Sequence, residues 1–216
     1  MAKKPKNPKP GDLVRSEANP WFVKCAGAPF TGMNEAFHYN GQLSRKENYK
    51  NGKRHGLQEY YSDDGKLWTK QYYKDGKRHG LSEWYEDDDQ LSHKGNYKNG
   101  KEHGLQEYYY EDGQLDFKEN YKNGKPHGSF ESYNEYGQLI EKRNYKDGKR
   151  HGLWEEHYED GKLKWKLNYK NEKEHGLQEY YYEDGKLKWK QNYKDGKLDG
   201  PREEYDKNGN RIDTYR

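Results

Sequence analysis

Histidine is the residue whose type and spacing in this sequence most suggest chemistry. Six histidines, each followed directly by glycine, recur every 24 residues: His55, His79, His103, His127, His151 and His175. If each repeat contributes two strands, equivalent positions in successive repeats lie about 10 Å apart, whereas the ligands of one zinc ion must come within about 4 Å of each other. We therefore expect no metal site here, and interpret these imidazoles as packing on tyrosine at turns.

Glutamate forms a second series with the same period: Glu59, Glu83, Glu107, Glu131, Glu155, Glu179 and Glu203. General acid–base catalysis needs two carboxylates in unlike environments, and a ladder of equivalent positions supplies copies of one environment. We expect these carboxylates to accept hydrogen bonds from tyrosine hydroxyls or to pair with cross-strand lysines. The sequence also lacks GxSxG, GxxxxGK[ST], HExxH and CxxC, so we predict no catalytic residue, no cofactor and no enzyme activity.

Glycine reveals how the chain is organised. One series recurs every 24 residues without insertion: Gly32, Gly56, Gly80, Gly104, Gly128, Gly152, Gly176 and Gly200. Two further series keep the same period and are interrupted only at Asp89 and Glu172. An unbroken period of this length predicts stacked, equivalent structural units.

Each unit has the pattern of a β-hairpin. Short runs rich in Tyr, Trp and Leu alternate at period two and are bounded by DDG, EDG, KNG or KDG, which supply the positive φ of tight turns. A three-residue loop with Gly65 in the left-handed region would place Tyr61 opposite Leu67. The predicted fold class is all-β, an elongated repeat array of about eight 24-residue antiparallel β-hairpins forming a meander or ribbon.

The alternation also predicts which residues share a face of the sheet. We expect the residues that repeat unchanged, such as Leu57, Glu59, Tyr61, Leu67 and Tyr73, to lie on one face. The opposite face should carry the positions that vary between repeats, together with a regular lysine. These are Gln58, Ser82, Gln106, Phe130, Trp154 and Gln178, then Tyr60, Trp84, Tyr108, Ser132, Glu156 and Tyr180, and the lysine series from Lys70 to Lys190.

Composition and charge set the domain organisation. Only 28% of the 216 residues are hydrophobic, but 23 Tyr, 6 Trp and 5 Phe can build an aromatic core. The first ten residues hold four lysines and no acid, which leaves 37 basic and 38 acidic residues in the rest. We predict a disordered basic tail at 1–10, an N-terminal cap at 11–31, repeats at 32–200, and a last half-repeat with a C-terminal cap at 201–216.

Cysteine content, hydropathy and net charge also indicate the cellular location and the class of partner. The single cysteine, Cys25, cannot form an internal disulfide, and no run approaches the roughly 18 apolar residues of a membrane span. A cytoplasmic location is expected. A body of nearly zero net charge argues against duplex nucleic acid as a partner. The basic tail could make a weak membrane contact.

The repeated text NYKNGKRHGLQEYYSDDGKL, at residues 48–67, resembles MORN repeats, and specifically the bacterial MORN variant of the YwqK-like antitoxin family. The resemblance covers about residues 29 to 210. It implies an elongated hairpin array without activity of its own, serving as a scaffold or as the immunity partner of a toxin. Eukaryotic relatives are associated with membrane-junction scaffolding. The start of the chain departs from a lipoprotein-type start, which favours neutralisation in the cytosol.

The expected function is therefore that of a non-enzymatic protein-binding scaffold, an antitoxin that neutralises a cognate toxin by direct binding. The alternatives are a membrane- or lipid-associated scaffold and a protein that binds single-stranded nucleic acid through Tyr and Lys. Partner contacts are predicted where repeats disagree and where Trp or Tyr can anchor an interface. The predicted partner-binding residues are Trp84, Phe130, Trp154, His157 and Tyr158.

Overall fold

The computed structural model describes residues 13–16, 19–25 and 28–215, and the side chains of residues 28–212; these residues form strands and turns and contain no helix. The predicted basic tail, residues 1–10, and parts of the predicted caps lie outside them. In chain order the strands are β1 (Leu13–Ser16), β2 (Asn19–Cys25), β3 (Ala28–Pro29), β4 (Gly32–Phe37), β5 (Leu43–Lys50), β6 (Lys53–Tyr61), β7 (Leu67–Lys74), β8 (Lys77–Tyr85), β9 (Leu91–Lys98), β10 (Lys101–Tyr109), β11 (Leu115–Lys122), β12 (Lys125–Tyr133), β13 (Leu139–Lys146), β14 (Lys149–Arg150), β15 (Gly152–His157), β16 (Leu163–Lys170), β17 (Lys173–Glu174), β18 (Gly176–Tyr181), β19 (Leu187–Lys194), β20 (Lys197–Leu198), β21 (Arg202–Tyr205) and β22 (Arg211–Tyr215).

Two kinds of connection join these strands. The lysine turns, such as Lys50–Lys53, are two-residue turns in which Asn51 and Gly52 both have positive φ, 52° and 74°. The acidic loops, such as residues 63–65, are three-residue loops in which Gly65 has φ 88° and the Ser62 N–H donates to the Lys66 carbonyl at 2.9 Å. Both follow from the turn residues of the sequence. The predicted three-residue loop and its pairing of Tyr61 with Leu67 are confirmed.

The chain divides into two compact units at residues 103 and 104. In the first unit, β4 to β9 form an antiparallel meander in which each strand pairs with the next. A small antiparallel sheet of β1, β2 and β3 precedes it, and β2 contacts β6. Phe30, only 7% exposed, packs on Tyr49 with ring centroids 5.9 Å apart. Its carbonyl accepts the Gly52 N–H at 2.7 Å, so this residue covers the first lysine turn.

The second unit continues the same plan from β10 to β22. Its hairpins are β10–β11, β12–β13, β15–β16, β18–β19 and β21–β22. Three long strands each pair with a two-residue strand and then with the strand that follows it. Thus β13 pairs with β14 and β15, β16 pairs with β17 and β18, and β19 pairs with β20 and β21. With the three hairpins of the first unit, the described chain contains eight. The all-β class and the consecutive 24-residue antiparallel hairpins are confirmed.

A β-bulge in each hairpin corrects the predicted faces. The register shifts by one residue between Tyr60 and Tyr61, so Glu59 pairs with Lys70 and Gly56 pairs with Tyr73. The lysine series therefore lies on the face of Glu59, and the Tyr73 series lies on the face of Gln58. Both predicted placements were wrong, because one extra residue in a strand moves every later side chain to the other face.

A second irregularity joins each repeat to the next. Asn48 alone lies opposite residues 55–57, where Gly56 has φ 87°. The side chains of two residues satisfy the backbone there: Gln58 Nε2 donates to the Asn48 carbonyl at 2.8 Å, and Asn48 Nδ2 donates to the Leu57 carbonyl at 2.6 Å. The repeated His–Gly pair is thus the site of a bulge, and the Gln–Asn pair stabilises it.

These contacts define two faces of the sheet, an aromatic face and an ionic face. The aromatic face carries Gln58, Tyr60, Thr69, Gln71 and Tyr73 with their equivalents, and it holds the most buried side chains. The fully buried ones are Gln58, Ser82, Gln106 and Gln178. The ionic face carries the Glu59 and Lys70 series. The face that was predicted to carry the variable positions is therefore the face that contains the core.

Candidate partner-binding face

The aromatic face carries stacked pairs of rings, and the two rings of each pair come from the two strands of one hairpin. Trp84 stacks on His93 with ring centroids 4.4 Å apart and planes 8° apart in the first unit. In the second unit, Tyr108 stacks on Phe117 at 4.2 Å and Tyr180 on Trp189 at 4.0 Å. All are cross-strand neighbours, as the register requires. The face therefore presents flat, partly exposed rings in fixed orientations.

Arginines lie between these rings. In the first unit, the Arg78 guanidinium lies 4.2 Å from the centroid of Tyr97. In the second, Arg150 lies 4.5 Å from Tyr169, and Arg202 lies 4.2 Å from Trp189. Such cation–π contacts hold the guanidinium groups against the rings. Aromatic rings and arginines are the residue types enriched at the centres of protein interfaces.

One buried carboxylate anchors the start of the aromatic face. Glu47 is 2% exposed and accepts hydrogen bonds from Tyr49, Tyr60 and Arg54 at 2.9–3.0 Å. Burial, together with the Glu47 charge, raises the pKa of both tyrosine hydroxyls. Every oxygen of Glu47 therefore has a donor, and the group is a structural anchor for the rings around it.

The predicted site residues fall into two groups. Phe130 and Trp154 come together around one cation, because Arg143 lies 5.3 Å from the Phe130 centroid and 5.1 Å from that of Trp154. Trp154 also donates from Nε1 to the Asn144 carbonyl at 3.0 Å, which replaces the usual glutamine. Trp84 belongs to the other unit and takes part in its stacked pair. These three side chains support the sheet as well as line its aromatic face.

His157 and Tyr158 lie at the acidic-loop end of their hairpin. Tyr158 donates from its hydroxyl to the Tyr181 carbonyl of the next repeat at 2.9 Å, so this residue joins two repeats. His157 occupies the place of Tyr133 and Tyr181, and its buried Nδ1 has no hydrogen-bond partner among the described residues. Two open grooves of about 530 and 510 Å³ meet at this histidine and Glu159.

The sequence interpretation missed the exposed aromatic residues, of which two lie on one strand. Trp68 is 62% exposed and Tyr72 is 39% exposed, both on β7. A signal for them existed, since most other repeats carry Asn in place of Tyr72, and none carries Trp in place of Trp68. The criterion of disagreement between repeats, applied to both strands of the hairpin, would have found them.

The histidine and glutamate series have structural roles in the described residues. His127 Nδ1 lies 3.1 Å from Asp147 Oδ1 of the next lysine turn, so the predicted position at turns is right but the partner is aspartate. Glu131 accepts from the Tyr133 hydroxyl at 2.8 Å and pairs with Lys118 at 2.8 Å, as predicted. Lys118 lowers the pKa of Glu131. No cluster of three or more potential metal ligands occurs in residues 28–212.

Membrane insertion through a helix has no support in the structure. Over the part of the chain that is described, no helix is long and apolar enough to cross a bilayer.

Comparison with protein families gives a match over residues 31–195. A family model described as a MORN repeat variant matches seven segments, which are residues 31–51, 54–75, 78–99, 102–123, 126–147, 150–171 and 174–195. A search of curated proteins found no match.

Among solved structures, the chain is similar to a mutant of TarM from S. aureus, in complex with Fondaparinux, alpha-GlcNAc-glycerol and UDP. The identity is 11%, the TM-score is 0.31, and the match covers 56% of this chain and 21% of that one. The chain thus spans about a fifth of that protein, and no inference is drawn from the similarity.

Proposed function

The chain belongs to the MORN repeat variant family, whose repeats suggest a scaffold for binding. From this premise we propose that the protein binds another protein and catalyses no reaction. The finer proposal is an antitoxin or immunity protein that neutralises a cognate toxin in the cytoplasm by direct contact. The YwqK-like resemblance of the repeats motivates this choice of partner.

The observation that carries the proposal is the aromatic face. Its rings and guanidinium groups are held by stacking, cation–π contacts and a fixed register, so little side-chain entropy remains to be lost when a partner binds. Among the predicted site residues, Phe130 and Trp154 come together around Arg143 in the second unit. Trp68 and Tyr72 add exposed rings outside the aromatic face, because Tyr72 pairs with Leu57 and so lies on the ionic face.

The test is co-expression with the product of the adjacent gene. An antitoxin should restore growth that the neighbouring protein arrests, and the purified pair should form a tight 1:1 complex by titration calorimetry. Absence of both rescue and complex would reject the toxin partner.

Site variants then separate binding from folding. Trp68→Ala and Tyr72→Asn change exposed side chains, and the second installs the residue that most other repeats carry, so both should fold normally. Loss of a hot-spot ring weakens binding by about tenfold or more. Tyr39→Ala, at an exposed loop position that lines neither groove, is the control and should leave affinity unchanged. Phe130→Ala tests the aromatic face itself and needs a parallel stability measurement, because its ring also packs in the sheet.

Single-stranded nucleic acid is a second candidate, favoured by the rings and arginines of the aromatic face. Binding of an unstructured oligonucleotide should weaken steeply with salt if it occurs. A flat response, or no binding at low salt, removes this candidate.

A further inference from the structure

The two ends of the strands carry opposite charge. Connections in an antiparallel meander alternate between strand ends, so the lysine turns lie at one end and the acidic loops at the other. In the first unit, the lysine turns at 50–53, 74–77 and 98–101 hold six lysines and one acid, a net charge of +5. The loops at 62–66 and 86–90 hold six acids and one lysine, a net charge of −5.

The second unit has the same balance. Its lysine turns hold eight lysines and three acids, a net charge of +5, and its acidic loops hold eight acids and three lysines, a net charge of −5. The turns are residues 122–125, 146–149, 170–173 and 194–197, and the loops are residues 110–114, 134–138, 158–162, 182–186 and 206–210. The net charge of the chain is nearly zero, although the lysine turns form a strongly positive row and the acidic loops form a strongly negative row.

Turn formation does not require these charges. An acidic loop uses one aspartate, as where Asp160 Oδ1 accepts the Lys162 N–H at 3.0 Å, and leaves the neighbouring Glu159 exposed. A lysine turn needs its Asn–Gly or Asp–Gly pair and not the flanking lysines. Those lysines are all exposed, and in residues 28–212 no carboxylate lies within ion-pair distance of any of them. They are Lys50, Lys53, Lys74, Lys77, Lys98, Lys101, Lys122, Lys125, Lys146, Lys149, Lys170, Lys173, Lys194 and Lys197.

Both rows have the same spacing and are held in place. The repeats after the uncharged first loop, residues 38–42, each contribute one acidic loop and one lysine turn, so each row advances by two strands, about 10 Å, per repeat. Successive lysine turns are hydrogen-bonded, as from the Gly148 N–H to the Pro126 carbonyl at 2.8 Å. Successive acidic loops are linked in the same way by the Tyr182 hydroxyl, which donates to the Tyr205 carbonyl at 2.9 Å.

We propose that the lysine turns of one chain bind the acidic loops of a second copy of the same chain. For each row, the opposite row of another copy has the same spacing and a charge of equal size and opposite sign. A linear polyanion would match the lysine turns and leave the equally spaced acidic row without a role. This self-association goes beyond the proposed partner binding and uses neither face of the sheet.

The interaction has a clear dependence on salt. Each exposed ion pair contributes little, so association depends on many pairs acting together and on weak screening. Sedimentation of the full chain at about 25 mM and 500 mM salt should show association at the lower ionic strength, with the dissociation constant rising about tenfold or more at the higher. A monomer at low salt and about 100 μM chain would overturn the proposal.

Two matched variants test which rows pair. One reverses three lysine turns by Lys122→Glu, Lys146→Glu and Lys170→Glu; the other reverses three acidic loops by Glu135→Lys, Glu159→Lys and Glu183→Lys. All six positions are exposed, so circular dichroism and melting should stay as in the parent chain. Lysine to arginine at the first three positions keeps the charge and is the control.

Each reversal variant alone should lose about tenfold or more in self-association. An equal mixture should regain it, because the first variant keeps its acidic loops and the second keeps its lysine turns. Failure of the mixture to associate would overturn the pairing of the rows, as would variants that associate like the parent. Binding of heparin through the lysine turns by a chain that stays monomeric would assign that row to a polyanion instead.

Discussion

Gln178 forms two hydrogen bonds with the backbone of Asn168, which lies in the preceding repeat. Its Oε1 accepts the Asn168 N–H and its Nε2 donates to the Asn168 carbonyl, both at 2.9 Å, and the side chain is 1% exposed. The amide thus replaces the strand partner that the bulge takes away. Gln178, which belongs to the repeated text GLQEYY, therefore stabilises the junction between two repeats.

Removing that amide should destabilise the protein. Gln178→Ala leaves a buried N–H and a buried carbonyl without partners, so the free energy of unfolding should fall by about 2–3 kcal/mol. Urea unfolding followed by tryptophan fluorescence measures this. Gln114→Ala, at an exposed position, is the matched control and should change stability by less than about 0.5 kcal/mol. Equal effects at both positions would contradict the role assigned to the amide.

The two non-glycine residues that interrupt the glycine series should respond differently to glycine. Asp89 has φ 67°, and Asp89→Gly should stabilise the protein by about 0.5–1 kcal/mol through relief of backbone strain. Glu172 has φ 71°, but its carboxylate accepts from the backbone and the side chain of Arg150. Glu172→Gly loses those contacts, so it should gain less than Asp89→Gly, or lose stability. Thermal unfolding of the two variants side by side decides the order.

The anchor at Glu47 should be among the most sensitive positions. Glu47→Ala removes one ion pair of the Arg54 guanidinium, whose side chain is 15% exposed, and the acceptor of the Tyr49 and Tyr60 hydroxyls, so a loss of about 3 kcal/mol is expected. Glu111→Ala, at an exposed acidic loop, is the comparison and should be nearly neutral. Urea unfolding of both variants provides the measurement, and a neutral Glu47→Ala would contradict the anchor.

Stability should fall in alkaline solution. Burial, then the Glu47 charge, raises the pKa of Tyr49 and Tyr60 above the ordinary value of about 10. Between that value and the folded pKa, the unfolded chain loses protons that the folded chain keeps, so the free energy of unfolding decreases as pH rises. Below about pH 8.5 these groups contribute almost no slope, because the tyrosines are then protonated in both states. Urea unfolding from pH 8 to 11, with tyrosinate absorbance of folded and unfolded chain, checks the sign.

Much of the fold could be predicted because glycine and its neighbours act locally. Gly65 and the Asn51–Gly52 pair fix the turns through positive φ, and the period of 24 then fixes the succession of hairpins. The faces could not be predicted in the same way. The bulge between Tyr60 and Tyr61 depends on pairing across strands, so the alternation of one strand placed Lys70 and Tyr73 on the wrong side.

The candidate site was predictable only in part. The criterion of disagreement between repeats selected Phe130 and Trp154, which do lie together around Arg143. It did not reveal that these rings also support the sheet, because the backbone group that Trp154 satisfies exists only in the folded junction. Exposure, which distinguishes Trp68 from the other tryptophans of residues 28–212, likewise depends on neighbours that the linear pattern does not name.

The ties between successive turns also constrain how such a gene can change in length. The hydrogen bond from Gly148 to Pro126 joins residues 22 apart, and the one from Tyr158 to Tyr181 joins residues 23 apart. Loss or duplication of one whole repeat preserves every such offset, whereas any other insertion within a strand misaligns both donors at once. Replication slippage in whole-repeat steps can therefore lengthen or shorten this protein while each surviving junction keeps its chemistry.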